Sequence, residues 1–288
     1  MKHSIARRSL ACLIALVLLF AALTACSGTP DPGPPVPVAI EEAVDTVPFG
    51  IAFRQGNTAL RDQVWAALQV LSADGTVGQI AQNWFGYDPT TIPADPTATA
   101  DLEDVRERRL IVGIDAAAAP MSYLDESGAF RGFDVDLARA AGDYFGWEVD
   151  FFPIAWTDRE MELVSGNVDC IWGGLTLTDH ILERMEHTES YMENRQVLLT
   201  MSHSGITNLR GMRGGTLALR QGSAAELALE RNTGFRDQLE DIFPQECLAL
   251  GLDALRRGLV DAVLMYETAA RYYIRTGDAA IFAWEQSQ

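Results

Sequence analysis

The sequence predicts an α/β fold, and three observations carry that prediction. Strand-like apolar runs alternate with amphipathic helical stretches over most of the chain, the pattern of parallel sheets flanked by helices. The chain has 288 residues, 48% of them hydrophobic, enough for one large domain or two modest ones with a real core. Charged residues make up 22% and aromatics 9%, a composition that can bury enough apolar surface to stay ordered.

The charge balance excludes some functions. Acids outnumber bases 40 to 22, for a net charge of −18 and a pI near 4.5. Such a surface repels a phosphate backbone, so nucleic acid is not an expected partner. Four cysteines are too few for a disulfide-stapled miniprotein. Lys2 is the only lysine, so every other fixed cation is an arginine.

The head of the chain reads as an address. Lys2, Arg7 and Arg8 precede Leu10–Ala25, sixteen residues without a charge. That is the basic-then-apolar pattern of a signal peptide, and it is short of the ~20 residues that cross a bilayer. The run closes on Leu23-Thr24-Ala25-Cys26-Ser27-Gly28, which resembles the bacterial lipobox, where cleavage exposes a cysteine that is then lipidated. The resemblance implies a signal peptide over 1–25, lipid on Cys26, and a location on the outer face of the cell membrane. Ordinary cleavage with an unmodified Cys26 is the alternative. The mature chain keeps 19 bases against 40 acids, a charge of −21.

Residues 27–40 carry five prolines and little to bury, so 26–46 is expected to be an extended, lipid-anchored tether. Phe49–Phe53 reads as a strand. Leu60, Val64, Leu68 and Leu71 share one helical face behind Asn57 or Thr58 as cap. Gly75 stops that helix, and Thr76 starts a second with Val77, Ile80, Ala81 and Trp84 inward. This block, 47–87, is too small to fold alone without disulfides or metal and must pack on the rest of the chain. Asp88 to Asp101, rich in Thr, Pro and Ala, reads as a linker over 88–101.

Strands then follow at Leu110–Ile114, Val149–Pro153, Val168–Trp172, Val197–Met201, Thr216–Leu219 and Ala262–Met265. Helices are expected at Phe133–Phe145, Arg159–Val164, Ala224–Arg231, Leu252–Arg257 and Glu267–Arg275.

Six phrases in this stretch carry a resemblance. They are Leu110-Ile-Val-Gly-Ile-Asp115, Gly132-Phe-Asp-Val-Asp-Leu137, Ser165-Gly-Asn-Val-Asp169, Gly174-Leu-Thr-Leu-Thr178, Leu217-Ala-Leu-Arg-Gln-Gly-Ser223 and Gly258-Leu-Val-Asp-Ala262. In this order, over Leu110 to Trp284, the chain resembles the family 3 extracellular solute-binding proteins of polar amino acid ABC importers. The family implies a two-lobe, periplasmic-binding-protein-like (type II) α/β fold, two crossing strands, and a ligand between the lobes. It implies a monomer that works with ABC permease subunits.

The head block also resembles part of that family. Pro48-Phe-Gly-Ile-Ala-Phe-Arg-Gln-Gly-Asn57, Ala73-Asp-Gly-Thr76 and Asn83-Trp-Phe-Gly86 look like its C-terminal ending, whereas the main body stops at Ile281-Phe-Ala-Trp284. The chain therefore reads as a circular permutant, with 102–194 as lobe one and 195–288 as lobe two. An incomplete second copy or a fusion fragment is the alternative.

The resemblance places the ligand site as well. Gly174 and Thr176 match the family's carboxylate-binding stretch, and Ser223 with Ala224 follow the Gln-Gly turn. Trp156 fits the aromatic of the lobe-one cleft, and Met121 stands after the first-loop proline. Two positions depart from the pattern: the carboxylate-binding arginine is Ile181, and the ammonium-binding aspartate is Tyr266. Either Arg184 and Glu267 substitute, or the ligand is less zwitterionic and held by Trp156, Tyr266, Trp172 and backbone amides. A third alternative is a degenerate site.

Other chemistry is weaker. His180, Glu183 and His187 could share a helical face, but the spacing matches no zinc pattern, so no metal is expected. No phosphate loop and no Gly-x-Ser-x-Gly nucleophile motif occurs, and no cofactor is expected. Cys170 reads as a core thiol, and a pairing with Cys247 stays open. The chain reads as a non-enzyme. The competing classes are a fold-related dehydratase or lyase, with Glu267 as its acid or base, and a tethered ligand sensor.

Overall fold

The computed structural model describes residues 35–99 and 108–277. Cys26, the segment before it and the Ile281–Trp284 phrase lie outside the described residues. The strands are β1 (Pro37–Ala39), β2 (Asp45–Phe49), β3 (Ala52–Phe53), β4 (Arg109–Ile114), β5 (Ala117–Ala118), β6 (Ser122–Leu124) and β7 (Phe130–Arg131). They continue with β8 (Glu148–Pro153), β9 (Cys170–Ile171), β10 (Glu186–His187), β11 (Met192–Met201), β12 (Thr216–Arg220), β13 (Asp241–Gln245) and β14 (Ala262–Tyr266).

Two larger sheets divide the molecule into lobes. One runs β10-β3-β9-β4-β8, and the other runs β1-β11-β14-β12-β13 with β2 also on β11. β4 lies parallel to β8 and β9, and β12 lies parallel to β13 and β14. These parallel pairings need crossover connections, which is why apolar strand runs alternate with helices in the sequence. The Phe133–Phe145 helix shows how a pattern becomes packing. Phe133, Leu137, Ala138 and Ala141 recur at helical spacing and are fully buried on the first sheet.

The head of the chain completes both lobes. β2 runs antiparallel along β11, with Asp45 opposite Gln196 and Phe49 opposite Met192. The chain then enters the first sheet as β3, between β9 and β10. The expected single strand over Phe49–Phe53 is thus two strands, because the chain changes sheets at Gly50. There the Gly50 amide donates to the Leu175 carbonyl at 3.0 Å, and a Cβ would come within 2.6 Å of the Leu177 side chain. Helices Thr58–Ala73 and Thr76–Phe85 follow at the expected places. Leu60, Val64 and Leu68 join Phe133 and Leu137 in one core cluster.

The expected tether over 26–46 requires a correction. Pro37–Ala39 forms β1, paired with Leu199–Met201 of β11, and Ile40 and Val44 are buried in the second lobe. Proline suits this place because it is the first residue of an edge strand and lacks a donor to lose. The described part of the 88–101 linker is pinned rather than loose. Ile92 is buried, and the Thr91 amide donates to the Tyr191 carbonyl at 2.9 Å.

Phe49 has no exposed surface and packs edge-on against Tyr266, 4.9 Å between centroids, and against Tyr191, 6.3 Å. Phe49→Ala should cost about 3–5 kcal/mol in urea unfolding, as for other large-to-small core changes. A loss below about 1 kcal/mol would show that the head strand does not dock.

Candidate functional site

A cleft of about 490 Å³ lies where the two sheets face each other. One wall is the Ala117–Met121 turn, Trp156, Arg159 and the Gly173–Thr176 loop. The opposite wall is the Arg220–Glu226 turn with Met265 and Tyr266, and Gln196 of β11 reaches the cleft from the crossing strand.

Each wall is built by local chemistry. Gly174 sits at φ 68°, a left-handed conformation that glycine adopts without steric cost. Its amide donates to Asp134 Oδ2 at 2.6 Å, and the Tyr191 hydroxyl donates to the same oxygen at 3.0 Å. Asp134 thereby ties the cleft loop to the crossing segment. The Trp172 indole lies near this carboxylate but outside good hydrogen-bond geometry, and Asp134 Oδ1 has no partner among the described residues. Complete burial pushes the Asp134 carboxyl up to about 7, against the pull of its two donors.

On the facing wall, Ser223 caps helix Ala224–Arg231. Its hydroxyl accepts from the Ala225 amide at 3.2 Å and donates to the Arg220 carbonyl at 2.6 Å. Two polar pairs reach across the cleft. The Thr176 and Tyr266 hydroxyls share a hydrogen bond of 2.9 Å, and Arg220 Nη1 donates to Asp115 Oδ2 at 3.1 Å. Burial raises the Tyr266 hydroxyl to about 12, so it stays protonated and able to donate.

Of the nine ligand positions drawn from the sequence, Met121, Trp156, Gly174, Thr176, Ser223, Ala224 and Tyr266 line this cleft. Arg184 and Glu267 do not. Arg184 ends helix Asp179–Arg184 on an exposed face, since Ile181 takes the inward position. Glu267 is 8% exposed and turned away, paired with Arg271 at 2.7 Å and Arg195 at 3.4 Å. It follows Tyr266 directly at a helix start, so the two side chains diverge. Trp172, read as a possible cleft wall, is fully buried in the lobe-one core. His180 bonds Glu160 at 2.8 Å, whereas His187 lies in β10 with Nδ1 on the Thr188 carbonyl, so the two belong to different elements. Cys170 is buried, and no disulfide joins it to Cys247.

Sequence reading missed Asp115, Arg159, Gln196 and Arg220 as cleft residues. Arg159 left one signal. It opens helix Arg159–Ser165, where the macrodipole disfavours a cation.

A family model for bacterial extracellular solute-binding proteins, family 3, matches residues 110–284. The chain belongs to that family. Among relatives of this family 3 member is the Bacillus subtilis arginine-binding extracellular protein ArtP. It is 24% identical over 60% of this chain and 66% of its own length, so the match spans just under two thirds of that relative. A Streptococcus pneumoniae ABC uptake transporter substrate-binding protein, solved with bound histidine, is 32% identical with a TM-score of 0.54. That match covers 58% of this chain and 69% of the solved one. An ancestral amino-acid-binding protein described as a precursor of cyclohexadienyl dehydratase is 27% identical with a TM-score of 0.52, covering 58% and 74%. The two-lobe α/β fold expected from the sequence is the fold of these neighbours.

Asp134 gives a pH signature. Its folded value lies above the ordinary carboxylate range, so its contribution to stability is full below about 4 and is lost as pH rises through about 7. Asp134→Asn should remove this slope. In melting curves from pH 5 to 8, the wild type should lose stability relative to Asp134→Asn as pH rises, and parallel curves would refute the assignment.

Proposed function

We propose that this chain is a lipid-anchored, extracytoplasmic receptor of an ABC importer, holding an amino-acid-like or other small polar solute in the cleft. The observation that carries this reading is the cleft itself. Two lobes face each other across it, joined by two hydrogen-bonded crossing strands, and polar pairs already bridge the walls. A solute that contacts both walls favours the closed arrangement, and that form docks on the permease. Met121, Trp156, Gly174, Thr176, Ser223, Ala224 and Tyr266 are its contact residues. The walls mix apolar surface with a few polar groups, as small-molecule sites do.

The permutation belongs to the same proposal. Residues 47–87 act as the family's closing elements, moved to the front and packed on lobe one (102–194), with 195–288 as lobe two. Two observations support it. The Leu60, Val64 and Leu68 face shares a core with Phe133 and Leu137, and Ala39 of β1 packs against the cluster of Ala269, Ala270 and Tyr273. The first described strand and the last described helix are therefore neighbours, and permutation requires such neighbouring ends. Cys26 carries the lipid. A non-enzymatic role fits the orientation of Glu267, whose carboxylate is held by two arginines outside the cleft.

Two measurements test the proposal. A thermal-shift screen of α-amino acids and other polar metabolites should find a stabilising solute. Ligand at about 1,000 times its dissociation constant adds about 4 kcal/mol, and a silent screen would defeat the receptor reading. In fractionated cells, Cys26→Ser should move the protein out of the membrane fraction, and continued membrane association would rule out the lipid anchor.

A further inference from the structure

The two lobes also meet outside the cleft. The Glu267–Thr276 helix starts at the cleft, which Ala269 lines, and its Ala270 and Tyr273 join the core of lobe two. Three other side chains of this helix reach lobe one and the head block. The Tyr272 and Tyr123 hydroxyls share a hydrogen bond of 3.3 Å, with Tyr123 standing on β6. The Tyr272 ring lies 6.1 Å from the Trp84 ring, which stands edge-on to Tyr123 at 6.2 Å. Arg275 donates to the Trp84 carbonyl and lies over the Tyr272 ring at 5.8 Å. Arg271 lies over the Tyr87 ring at 5.2 Å. Trp84 is itself fixed to lobe one, because its indole N–H donates to Asp136 Oδ2 at 2.8 Å. Tyr272 is buried. Burial, and then the bond to Tyr123, hold its hydroxyl above the ordinary tyrosine range, so it stays protonated.

The Thr176–Tyr266 and Asp115–Arg220 pairs stand inside the cleft, where a solute must share or displace them. Trp84, Tyr87, Tyr123, Tyr272 and Arg275 are not among the residues that line it. They lie outside the crossing ladder as well. β2 and β11 can stay paired while the lobes turn about them. The outer contact cannot survive that turn. Parting the lobes strips Tyr272 of its hydroxyl partner, uncovers its ring and separates Arg275 from the Trp84 carbonyl. The chain's own side chains therefore favour the arrangement in which this contact is made, whatever the cleft holds.

We propose that Tyr272 and Arg275 clasp Trp84 and Tyr123 as a latch that favours the closed lobes independently of any solute. The latch needs only the two-lobe fold and stands apart from the receptor reading. Trp84 lies in residues 47–87, so docking of the head block also sets how far the cleft stays closed. A cleft closed in advance binds its solute more tightly, in proportion to the closed fraction.

The test measures the lobes directly. Keto-bearing unnatural residues replace Glu126 in lobe one and Glu240 in lobe two, both exposed, and take nitroxide labels, so the native cysteines stay untouched. Pulsed electron spin resonance on the full chain then gives the distances between the labels. The wild type should show one dominant distance. Tyr123→Phe and Tyr272→Phe should each raise the share of a second distance about fivefold relative to the first, the scale of one hydrogen bond. The double variant should raise it no further, because both changes remove the same bond between the lobes. Tyr272→Ala also removes the ring and should raise it about tenfold or more. Ile274→Ala, an exposed neighbour on the same helix, should leave it unchanged. Should Tyr272→Ala fail to fold, the phenylalanine variants decide the matter alone. A wild type without a dominant distance, unchanged distances in the phenylalanine variants, additive effects of those two, or an equal shift from Ile274→Ala overturns the latch. None of these outcomes touches the receptor reading, which the solute screen tests separately.

Discussion

The ladder between β2 and β11 is the interaction on which the rest depends. It joins residues 45–49 to residues 192–196, segments far apart in the chain, with five residue pairs in register. β11 carries β14 along its other side, so one strand serves as both crossing segment and sheet centre. Because β2 then passes into β3, the same stretch sets the first sheet in place. Without this ladder the cleft would lose one of its two crossings.

The cleft inherits its order from that crossing. Tyr191 and Met192 begin the crossing segment, and Tyr191 shares Asp134 with the Gly174 amide. Phe49, at the end of β2, packs against Tyr266, whose hydroxyl meets Thr176 from the opposite lobe. Loop, crossing strands and facing wall are thus coupled through a few buried groups. Such groups in a low-dielectric setting tolerate few arrangements, so the wall geometry is well specified. In this setting two buried atoms, Arg159 Nε and Gln196 Oε1, are left without a hydrogen-bond partner among the described residues.

Much of the fold was legible from periodicity. Phe133–Phe145 and Ala224–Arg231 were read to the residue, because their apolar spacing and their flanking Gly146 and Ser223 are local signals. The short strands β5, β6, β7, β10 and β13 were not read, because each is too brief or too polar to show alternation. β1 was read as tether because its prolines signal extension without saying what the extended chain pairs with. The site was half legible. Family-like phrases locate the Gly174 loop and the Ser223 turn, but Arg184 is suggested only by its closeness in sequence to Ile181, and the structure leaves it on an exposed face.

By itself the sequence determined the α/β class, the family, the order of helices and strands, and the presence of a chain head able to pack on the body. Those properties follow from apolar spacing and turn chemistry, which act within a few residues. Only the tertiary structure decided that 37–39 completes a sheet, that Glu267 turns from the cleft, and that Arg159 and Gln196 line it. Those outcomes depend on which segments meet, from the Arg195–Glu267 pair to the β1–β11 pairing, which joins residues more than a hundred positions apart. Local pattern carries no information about such contacts, so a charge can be read from the sequence long before its partner can.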